Sequence, residues 1–378
     1  MPFHPFAVEQ FLSENEQGVD YNFSESGVEP VRLGELFGLA GLPPDALSDV
    51  SLNYPEVNGE HALRQRIADL YDGAEADNVL VTVGASEANG LIAAALLEPG
   101  DEVVAMAPTY LQFAGNARNM GADVKSVPLV EEAGWALDID RLTAAIGPAT
   151  KVVSVVNPHN PTGSILSEEA MSAIVEAADR VGAWVLADEV YGGAERRRNR
   201  PTPSFWGRYE RTVAVNSLSK AYGLPGLRCG WVVAPPALIT ALWRRHEYAT
   251  ISATMLANKL AAIALEPSVR AQLIARTRRL IRDGFDLLRD RLGHHPGIFA
   301  VVPPEASAMS FVRYDLPIAS RDFVLRLRAE QSVLVIPGDC FGLENHFRIS
   351  SALPPDYLGA GLDRLNDLVA TMLDEQSR

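Results

Sequence analysis

The chain has 378 residues, of which 47% are hydrophobic and 21% charged, and its net charge is −15. These values predict a folded protein of about two domains, and the acidic charge argues against partners such as nucleic acid or a membrane surface. We find no signal-peptide pattern and no apolar run of about 18 residues, so we expect neither secretion nor a membrane span. The cysteines, Cys229 and Cys340, form neither a disulfide framework nor a metal motif. They predict a cytoplasmic protein with reduced thiols and no metal site.

The N-terminal 45 residues contain a short amphipathic start and the loop SESG at residues 24–27. They are too few for a domain, so we expect them to pack on a smaller domain or across a functional site. A loop containing Tyr54 follows, and then a predicted helix with Leu63, Ile67 and Leu70 on one face.

From residue 79 onward, short apolar runs alternate with helical patterns. The runs VLVTV, EVVAM, KVVSVV, AWVLADEVY and TVAVNS are predicted strands, and LIAAALL and EEAMSAIVEAADRVG are predicted helices between them. Apolar runs without alternation indicate strands that are buried on both faces of a parallel sheet. We therefore predict an α/β fold whose large domain, residues 46–270, has three α/β/α layers around a mostly parallel sheet.

From about Ala253 the pattern changes. A long helical tract from Met255 to Leu292 is followed by GIFAVVPPEASAMSFVRYD, which is typical of a hairpin-like pair of strands. Another helix, a strand–loop–strand segment and an amphipathic C-terminal helix come next. We expect residues 271–378 to form a smaller α/β domain together with residues 1–45.

Polar groups follow the ends of the predicted parallel strands, which is where ligands bind in open α/β sheets. Gly84, Ala85 and Ser86 begin a helix whose free N–H groups can bind an anion, although small residues at such a turn also serve close packing. Asn160, in HNPTG, can hydrogen-bond an oxygen on a ring, or can simply belong to a turn that its prolines fix.

Two further polar groups, Asp188 and Tyr191, follow the buried strand WVLA. A buried carboxylate requires a partner, and the protonated nitrogen of a pyridine ring would be one. The alternative for Asp188 is an aspartate that caps a helix. Tyr191 can donate a hydrogen bond to a phenolic oxygen on the same ring.

The stretch SLSKAYGLPGLRCGW places Lys220 between hydroxyl groups and a turn rich in Gly and Pro. An isolated lysine is usually a surface charge, but this restricted loop favours a Schiff base between Lys220 and the aldehyde of pyridoxal 5'-phosphate (PLP). Ser217 and Arg228 can bind the phosphate of that cofactor. Arg348, in the apolar strand FRIS, indicates a buried anion such as a substrate carboxylate, with a structural ion pair as the alternative.

In their order and spacing, HNPTG, DEVY and SLSKAYGLPGLRCGW closely resemble the class I/II aminotransferases, which are fold-type I PLP enzymes. The resemblance covers most of the chain. It implies that Lys220 is the Schiff-base lysine and the general base, and that Asp188 keeps the pyridine nitrogen protonated. It also implies that Asn160 and Tyr191 contact the phenolic oxygen of the ring.

The same resemblance places Tyr110, in APTY, against the face of the ring. It implies a homodimer with shared active sites, because Tyr54 matches a tyrosine that reaches the phosphate from the neighbouring subunit. The other residues implied to bind the phosphate are Ala85, Ser86, Ser217 and Arg228. The expected substrate-binding residues are Arg348 for the α-carboxylate, Asn160, and Gly27 and Glu25 in a segment that often closes over the substrate.

These motifs leave the reaction open after the Cα proton is removed. We expect transamination of an L-amino acid with a 2-oxo acid, since this is the commonest outcome in the family. The alternative is a lyase, cyclase or oxidase, because the SESGV segment is also similar to that of capreomycidine-synthase-like enzymes, which act on an arginine-derived substrate. Glu25 or Glu195 would then pair with a guanidinium, unless they are solvated carboxylates.

The sequence also allows alternatives without PLP catalysis, and the arginine-rich segment has a simple explanation. The arginine run at residues 196–200 is typical of a solvated surface loop. A non-catalytic regulator of the same fold is disfavoured, because the chain is acidic and shows no DNA-binding extension. In a different α/β enzyme, Lys220 would only bind phosphate.

Overall fold

The computed structural model describes residues 3–377. The strands within this range are β1 (Tyr21–Asn22), β2 (Val79–Thr82), β3 (Glu102–Ala107), β4 (Asp123–Val130), β5 (Ala136–Leu137), β6 (Thr150–Val156), β7 (Trp184–Asp188), β8 (Thr212–Ser217), β9 (Gly230–Val233), β10 (Phe299–Val301), β11 (Met309–Tyr314), β12 (Val333–Leu334), β13 (Ile336–Pro337) and β14 (His346–Ser350). The helices are α1 (Ala7–Asn15), α2 (Leu33–Ala40), α3 (His61–Ala68), α4 (Gly84–Leu96), α5 (Gln112–Asn119), α6 (Ile139–Ala145), α7 (Glu168–Val181), α8 (Pro236–Ala249), α9 (Met255–Ala264), α10 (Pro267–Leu292), α11 (Ser320–Gln331) and α12 (Pro355–Gln376).

The large sheet has the strand order β2-β9-β8-β7-β6-β3-β4-β5. The pairs β8–β7, β7–β6, β6–β3 and β3–β4 are parallel, whereas β9 runs antiparallel to both of its neighbours, β2 and β8. Every residue of β2, β8 and β9 is buried. The prediction of a mostly parallel sheet buried on both faces is confirmed, and the antiparallel strand β9 is an addition to it.

Helices cover both faces of this sheet. On one face α4, α5 and α8 pack against side chains such as Leu186 of β7. On the opposite face α7 packs against Val185 and Ala187 of the same strand. Successive side chains of a strand point to opposite faces, so an unbroken apolar run fills both layers of the core.

The smaller sheet is antiparallel, with the order β10-β11-β14-β13, and the hairpin-like pair predicted at its start corresponds to β10 and β11. The long tract predicted from Met255 to Leu292 is two helices, α9 and α10, and not one. Pro267 begins α10. Proline suits the first turn of a helix but would break the interior of one, and this explains the interruption. The division into residues 46–270 and 271–378 stays a prediction.

The N-terminal segment pairs with β12 in a separate two-stranded sheet, is hydrogen-bonded to β14 of the smaller sheet and also lines a cavity. Tyr21 and Asn22 pair in parallel with β12, and the N–H of Phe23 donates to the carbonyl of Leu334 at 2.8 Å. Residues 24–26, which follow, line a cavity at the carboxyl ends of the parallel strands. Both positions expected for this segment are therefore found together. Within residues 3–377 we find no helix that is long and apolar enough to cross a membrane.

Candidate active site

A cavity of about 420 Å³ lies at the carboxyl ends of the parallel strands, under α1 and beside β14. Val156, Asp188 and Ser217 are the last residues of β6, β7 and β8, and all three line it. This is the edge at which the sequence predicted ligand binding. The predicted site residues that the cavity brings together are Glu25, Ala85, Ser86, Tyr110, Asn160, Asp188, Tyr191, Ser217, Lys220, Arg228 and Arg348.

Lys220 follows the end of β8, and its Nζ donates a hydrogen bond to Oγ of Ser26 at 2.7 Å. Burial lowers the pKa of the Lys220 ammonium, and the nearby carboxylate of Glu25 offsets this only in part. A lower pKa makes more of the neutral amine available, and the neutral amine is the form that attacks an aldehyde. Lys220 therefore has the environment of a nucleophilic amine.

Asp188 is 8% exposed and accepts a hydrogen bond from the N–H of Val190 at 3.2 Å. Burial raises the pKa of its carboxyl group to about 6, although that N–H, Asn89 and Lys220 act in the opposite direction. The residues after Asp188 form a turn and not a helix, so the helix-cap alternative is wrong. A cationic N–H placed against this carboxylate would favour its charged form.

Three side chains predicted to contact the ring meet in the cavity, and each has a protein partner. The hydroxyl of Tyr110 donates to Oε1 of Glu9 at 2.9 Å, and the hydroxyl of Tyr191 donates to the carbonyl of Ser26 at 3.2 Å. Oδ1 of Asn160 accepts from Arg348 at 3.2 Å. Asn160 therefore lines the cavity beside Arg348, and its contact with a ring stays a prediction.

A cradle of donors suited to a phosphate lies at the start of α4. The first N–H groups of a helix have no partner within the helix. Arg228 reaches this point, and its Nη1 donates to the carbonyl of Pro225 at 3.0 Å and approaches Oγ of Ser219 at 3.4 Å. A Cβ atom on Gly84, which has φ +73°, would overlap the Arg228 guanidinium. A Cβ atom on Gly230 would lie 2.5 Å from the carbonyl carbon of Gly84. These glycines let β9, α4 and the guanidinium meet.

Arg348 is 2% exposed and contributes the cation expected for a carboxylate. Its Nη2 donates to the carbonyl of Ser24 at 2.6 Å and its Nη1 to Asn160, but its Nε has no partner. None of its neighbours in residues 3–377 forms an ion pair with it, so the alternative of a structural ion pair is wrong. A buried, unpaired guanidinium donor fits an anionic ligand. Together, the Lys220 amine, the Asp188 carboxylate and the donor cradle fit the aldehyde, the ring nitrogen and the phosphate of PLP.

Three predicted residues lie beside the cavity or away from it. Gly84 begins the helix next to Ala85, and the carbonyl of Gly27 accepts from Ser350 Oγ at 3.2 Å, behind the loop at residues 24–26. Tyr54 is 80% exposed and does not line the cavity of its own chain. Its predicted contact with a phosphate in a second subunit stays a prediction.

Glu195 is neither solvated nor available to a substrate, so both interpretations of it are wrong. It is 0% exposed and pairs with Arg278, and its Oε1 accepts from Thr202 and from the N–H of Gly193. The adjacent Arg196 is half-buried, with its guanidinium 4.3 Å from the ring centre of Phe285. The prediction of a solvated loop therefore fails at Arg196.

Sequence reasoning missed the contribution of α1. Val8, Glu9, Leu12 and Glu16 line the cavity, and no local motif marks them. The sequence does show an amphipathic start, but it does not show which distant residue this start covers. Ser26 belongs to the loop SESG, and only the structure places its hydroxyl against Lys220.

Comparison with a family model gives a match over residues 45–365, and that model describes aminotransferases of class I and II. A structure of a PLP-dependent aminotransferase from Streptococcus suis superposes with a TM-score of 0.93 at 32% sequence identity. The match covers 98% of this chain and 99% of that one.

Two curated relatives match this chain at a sequence identity close to that of the Streptococcus suis protein. Capreomycidine synthase from Streptomyces vinaceus is 31% identical over 366 residues, which is 96% of this chain and 93% of the relative. Arginine–pyruvate transaminase AruH from Pseudomonas aeruginosa is 30% identical over 345 residues, which is 88% of this chain and 86% of the relative.

Proposed function

Because the chain belongs to the class I and II aminotransferases, a family of PLP-dependent enzymes, we propose that it transfers the α-amino group of an L-amino acid to a 2-oxo acid. Its cofactor is PLP, and its substrates are an amino acid and a 2-oxo acid. One observation carries the proposal for the site: Lys220, Asp188 and Arg348 converge on one cavity at the carboxyl end of the sheet. An amine, a carboxylate and a guanidinium in this arrangement can bind both PLP and an amino acid.

When bound, PLP supplies an electron sink that makes the Cα–H bond of an amino acid acidic. Asp188 would hold the ring nitrogen and keep it protonated, and the first turn of α4 with Arg228 would hold the phosphate. Arg348 would bind the α-carboxylate through the Nε that has no protein partner. The Lys220 amine, whose pKa is lowered, would then accept the Cα proton.

Single-turnover chemistry tests this function. Holoenzyme is mixed with a panel of amino acids without a 2-oxo acid acceptor, and the cofactor is analysed. Transamination predicts conversion to the pyridoxamine form and release of one 2-oxo acid. The Lys220→Ala variant should bind PLP without its covalent link and show no turnover. Protein that develops no visible absorbance band with PLP would contradict the proposal.

A lyase, cyclase or oxidase reaction is the second candidate. It is favoured by the similarity to capreomycidine synthase over 96% of this chain and by the carboxylate of Glu25 in the cavity. The same panel distinguishes the candidates. Release of ammonia with the PLP form regenerated indicates elimination, and consumption of oxygen indicates oxidation. A cyclic amino acid product with the PLP form retained indicates a cyclase.

We further propose a homodimer with shared active sites. Large apolar side chains are exposed in the single chain, including Leu52 at 78%, Tyr54 at 80% and Tyr248 at 96%. Exposed apolar side chains of this size are typical of protein interfaces. If Tyr54 completes the phosphate site of the partner, mixing inactive Tyr54→Ala and Lys220→Ala proteins should restore up to about a quarter of the sites. A mixture that is as inactive as each variant alone would contradict a shared active site.

A cytoplasmic location is also proposed. Cys229 and Cys340 are both buried and unpaired. Burial raises the pKa of the Cys229 thiol to about 12 and that of the Cys340 thiol to about 11. Free thiols of this kind suit a reducing compartment. Fractionation of the source cells tests the location.

A further inference from the structure

Three carboxylates in the cavity have no role in holding PLP. They belong to Glu9 in α1, to Glu16 directly after α1 and to Glu25 in the loop at residues 24–26. None of the three forms a salt bridge with the described residues. Glu9 accepts a hydrogen bond from Tyr110, and Glu16 accepts one from the side chain of Gln17 at 3.5 Å.

The cationic side chains of the cavity already have proposed ligands. Its described lining contains Lys220, Arg228 and Arg348, and the proposed function gives these to the aldehyde, the phosphate and the α-carboxylate. Burial lowers the pKa of both Lys220 and Arg348, and the nearby charges of Glu25 and Glu9 act in the opposite direction on both groups. The part of the cavity beside Glu9, Glu16 and Glu25 is therefore expected to have a negative electrostatic potential once the three cations are bound to the cofactor and the α-carboxylate.

Arg348 shows independently where a ligand binds. Its Nε is buried and has no acceptor among residues 3–377, and Arg348 lines the same cavity as the three carboxylates. A ligand carboxylate at Arg348 fixes one end of an amino acid. The side chain of that amino acid must then extend past the carboxylates or turn away from them.

The surface of α1 suits a long aliphatic chain with a charged end. Val8 and Leu12 of α1 line the cavity together with Glu9 and with Glu16, the residue that follows the end of the helix. Glu9 and Glu16 are separated by two helical turns, which is about 10 Å along the axis. Apolar side chains between carboxylates match a side chain that buries its methylene groups and solvates its charge.

We propose that Glu9, Glu16 and Glu25 bind the cationic end of the substrate, so the preferred substrate is an amino acid with a guanidinium or ammonium on an aliphatic chain. This inference rests on the proposed function, since it concerns the substrate of the same site. A carboxylate at the end of the side chain would be repelled by all three residues, and a neutral end would leave them without a counter-charge.

Arginine and citrulline provide the test, because their side chains are close in shape and differ in charge. The ratio of kcat/KM for arginine to that for citrulline is measured on the holoenzyme by release of product. We expect a ratio of about ten or more, as for removal of one partner of a desolvated charge pair. Glu25→Gln and Glu9→Gln should move this ratio towards one. The ratio should also fall with added salt, because charge pairs near the surface are screened.

Glu14 provides a matched control on the same helix. It is exposed and does not line the cavity, so Glu14→Gln should retain the wild-type ratio. Preference for citrulline, a neutral amino acid or glutamate would overturn the inference and leave the proposed function standing. A protein that binds PLP but turns over no amino acid, arginine included, would overturn both. A ratio that survives all three Gln substitutions would also overturn the assignment.

Discussion

The close approach of β9 to the first turn of α4 makes Gly230→Ala an informative perturbation of cofactor binding. A Cβ atom at residue 230 would lie 2.5 Å from the carbonyl carbon of Gly84 and 2.6 Å from the N atom of Ala85. Carbon atoms in ordinary contact are about 3.5–4.0 Å apart, so the start of α4 must move by roughly 1 Å. That displacement moves the donors away from the phosphate.

Overpacking of this kind costs about 1–3 kcal/mol. If the strain falls on the α4 turn, PLP affinity should decrease by about 5- to 150-fold, since each 1.4 kcal/mol corresponds to a factor of ten. Apoenzyme is titrated with PLP, and binding is followed by the visible absorbance band. Inorganic phosphate should also bind the variant more weakly than the wild type, so a higher phosphate concentration should be needed to compete with PLP.

Gly226→Ala is the matched control, because Gly226 lies four residues before Gly230 and a Cβ atom there meets nothing within 4 Å. Wild-type PLP affinity in Gly226→Ala together with a weakened Gly230→Ala would agree with the reasoning. Wild-type affinity in Gly230→Ala, with a correctly folded protein, would refute the link between the β9 contact and the phosphate cradle.

Three other substitutions have distinct expected outcomes. Asp188→Asn should lower kcat by more than about a hundredfold, because an amide cannot hold a protonated ring nitrogen. Burial raises the pKa of the Asp188 carboxyl group from 3.8 to about 6, so its charged form destabilises the cofactor-free protein as pH rises through 6. Cofactor-free Asp188→Asn should therefore resist urea better at pH 8 by about 3 kcal/mol, and the gain should vanish towards pH 4; no such dependence would count against the assigned burial. Glu195→Gln should lose about 3–5 kcal/mol of stability in urea unfolding, because Arg278 loses its buried partner, and it should keep the wild-type preference for arginine over citrulline. Arg348→Lys keeps the charge but not the two hydrogen bonds to Ser24 and Asn160, so KM for the amino acid should rise about tenfold or more, and an unchanged KM would argue against carboxylate binding there.

The sequence predicts the large sheet well, since its strands are short apolar runs with polar groups at their carboxyl ends. Asp188 and Ser217 each end a strand and face the cavity, because the carboxyl ends of parallel strands meet at one edge. The motif around Lys220 is local in sequence, and its chemistry can be read without the tertiary structure. The strand β9 was not predicted, because its run GWVV is only four residues long and directly follows the Gly/Pro-rich stretch. Its antiparallel direction could not be predicted either, because an apolar run carries no direction.

The remaining parts of the site depend on contacts between distant residues. Glu9 and Tyr110 are 101 residues apart and share a hydrogen bond, and neither neighbourhood marks the other. The prediction that Glu195 is solvated or pairs with a substrate was wrong for the same reason. Its partner Arg278 lies in α10, 83 residues further along, and a carboxylate without visible partners is usually assumed to be solvated.

The pairing of β1 with β12 helps to separate the groups proposed to bind the substrate from the groups proposed to react with it. Phe23 is hydrogen-bonded to Leu334 of β12 and to Ser350 of β14, and the carbonyl of Ser24 accepts from Arg348, so the segment before Glu25 is held beside the arginine proposed to bind the α-carboxylate. Asp188 is the last residue of β7 and Lys220 follows the end of β8, so both are positioned by the large sheet. A rotation of one sheet against the other would carry both ends of a substrate as one unit and change only their distance from the reacting amine. Side-chain selectivity could then diverge by substitution in the N-terminal segment while the reactive groups stay as they are.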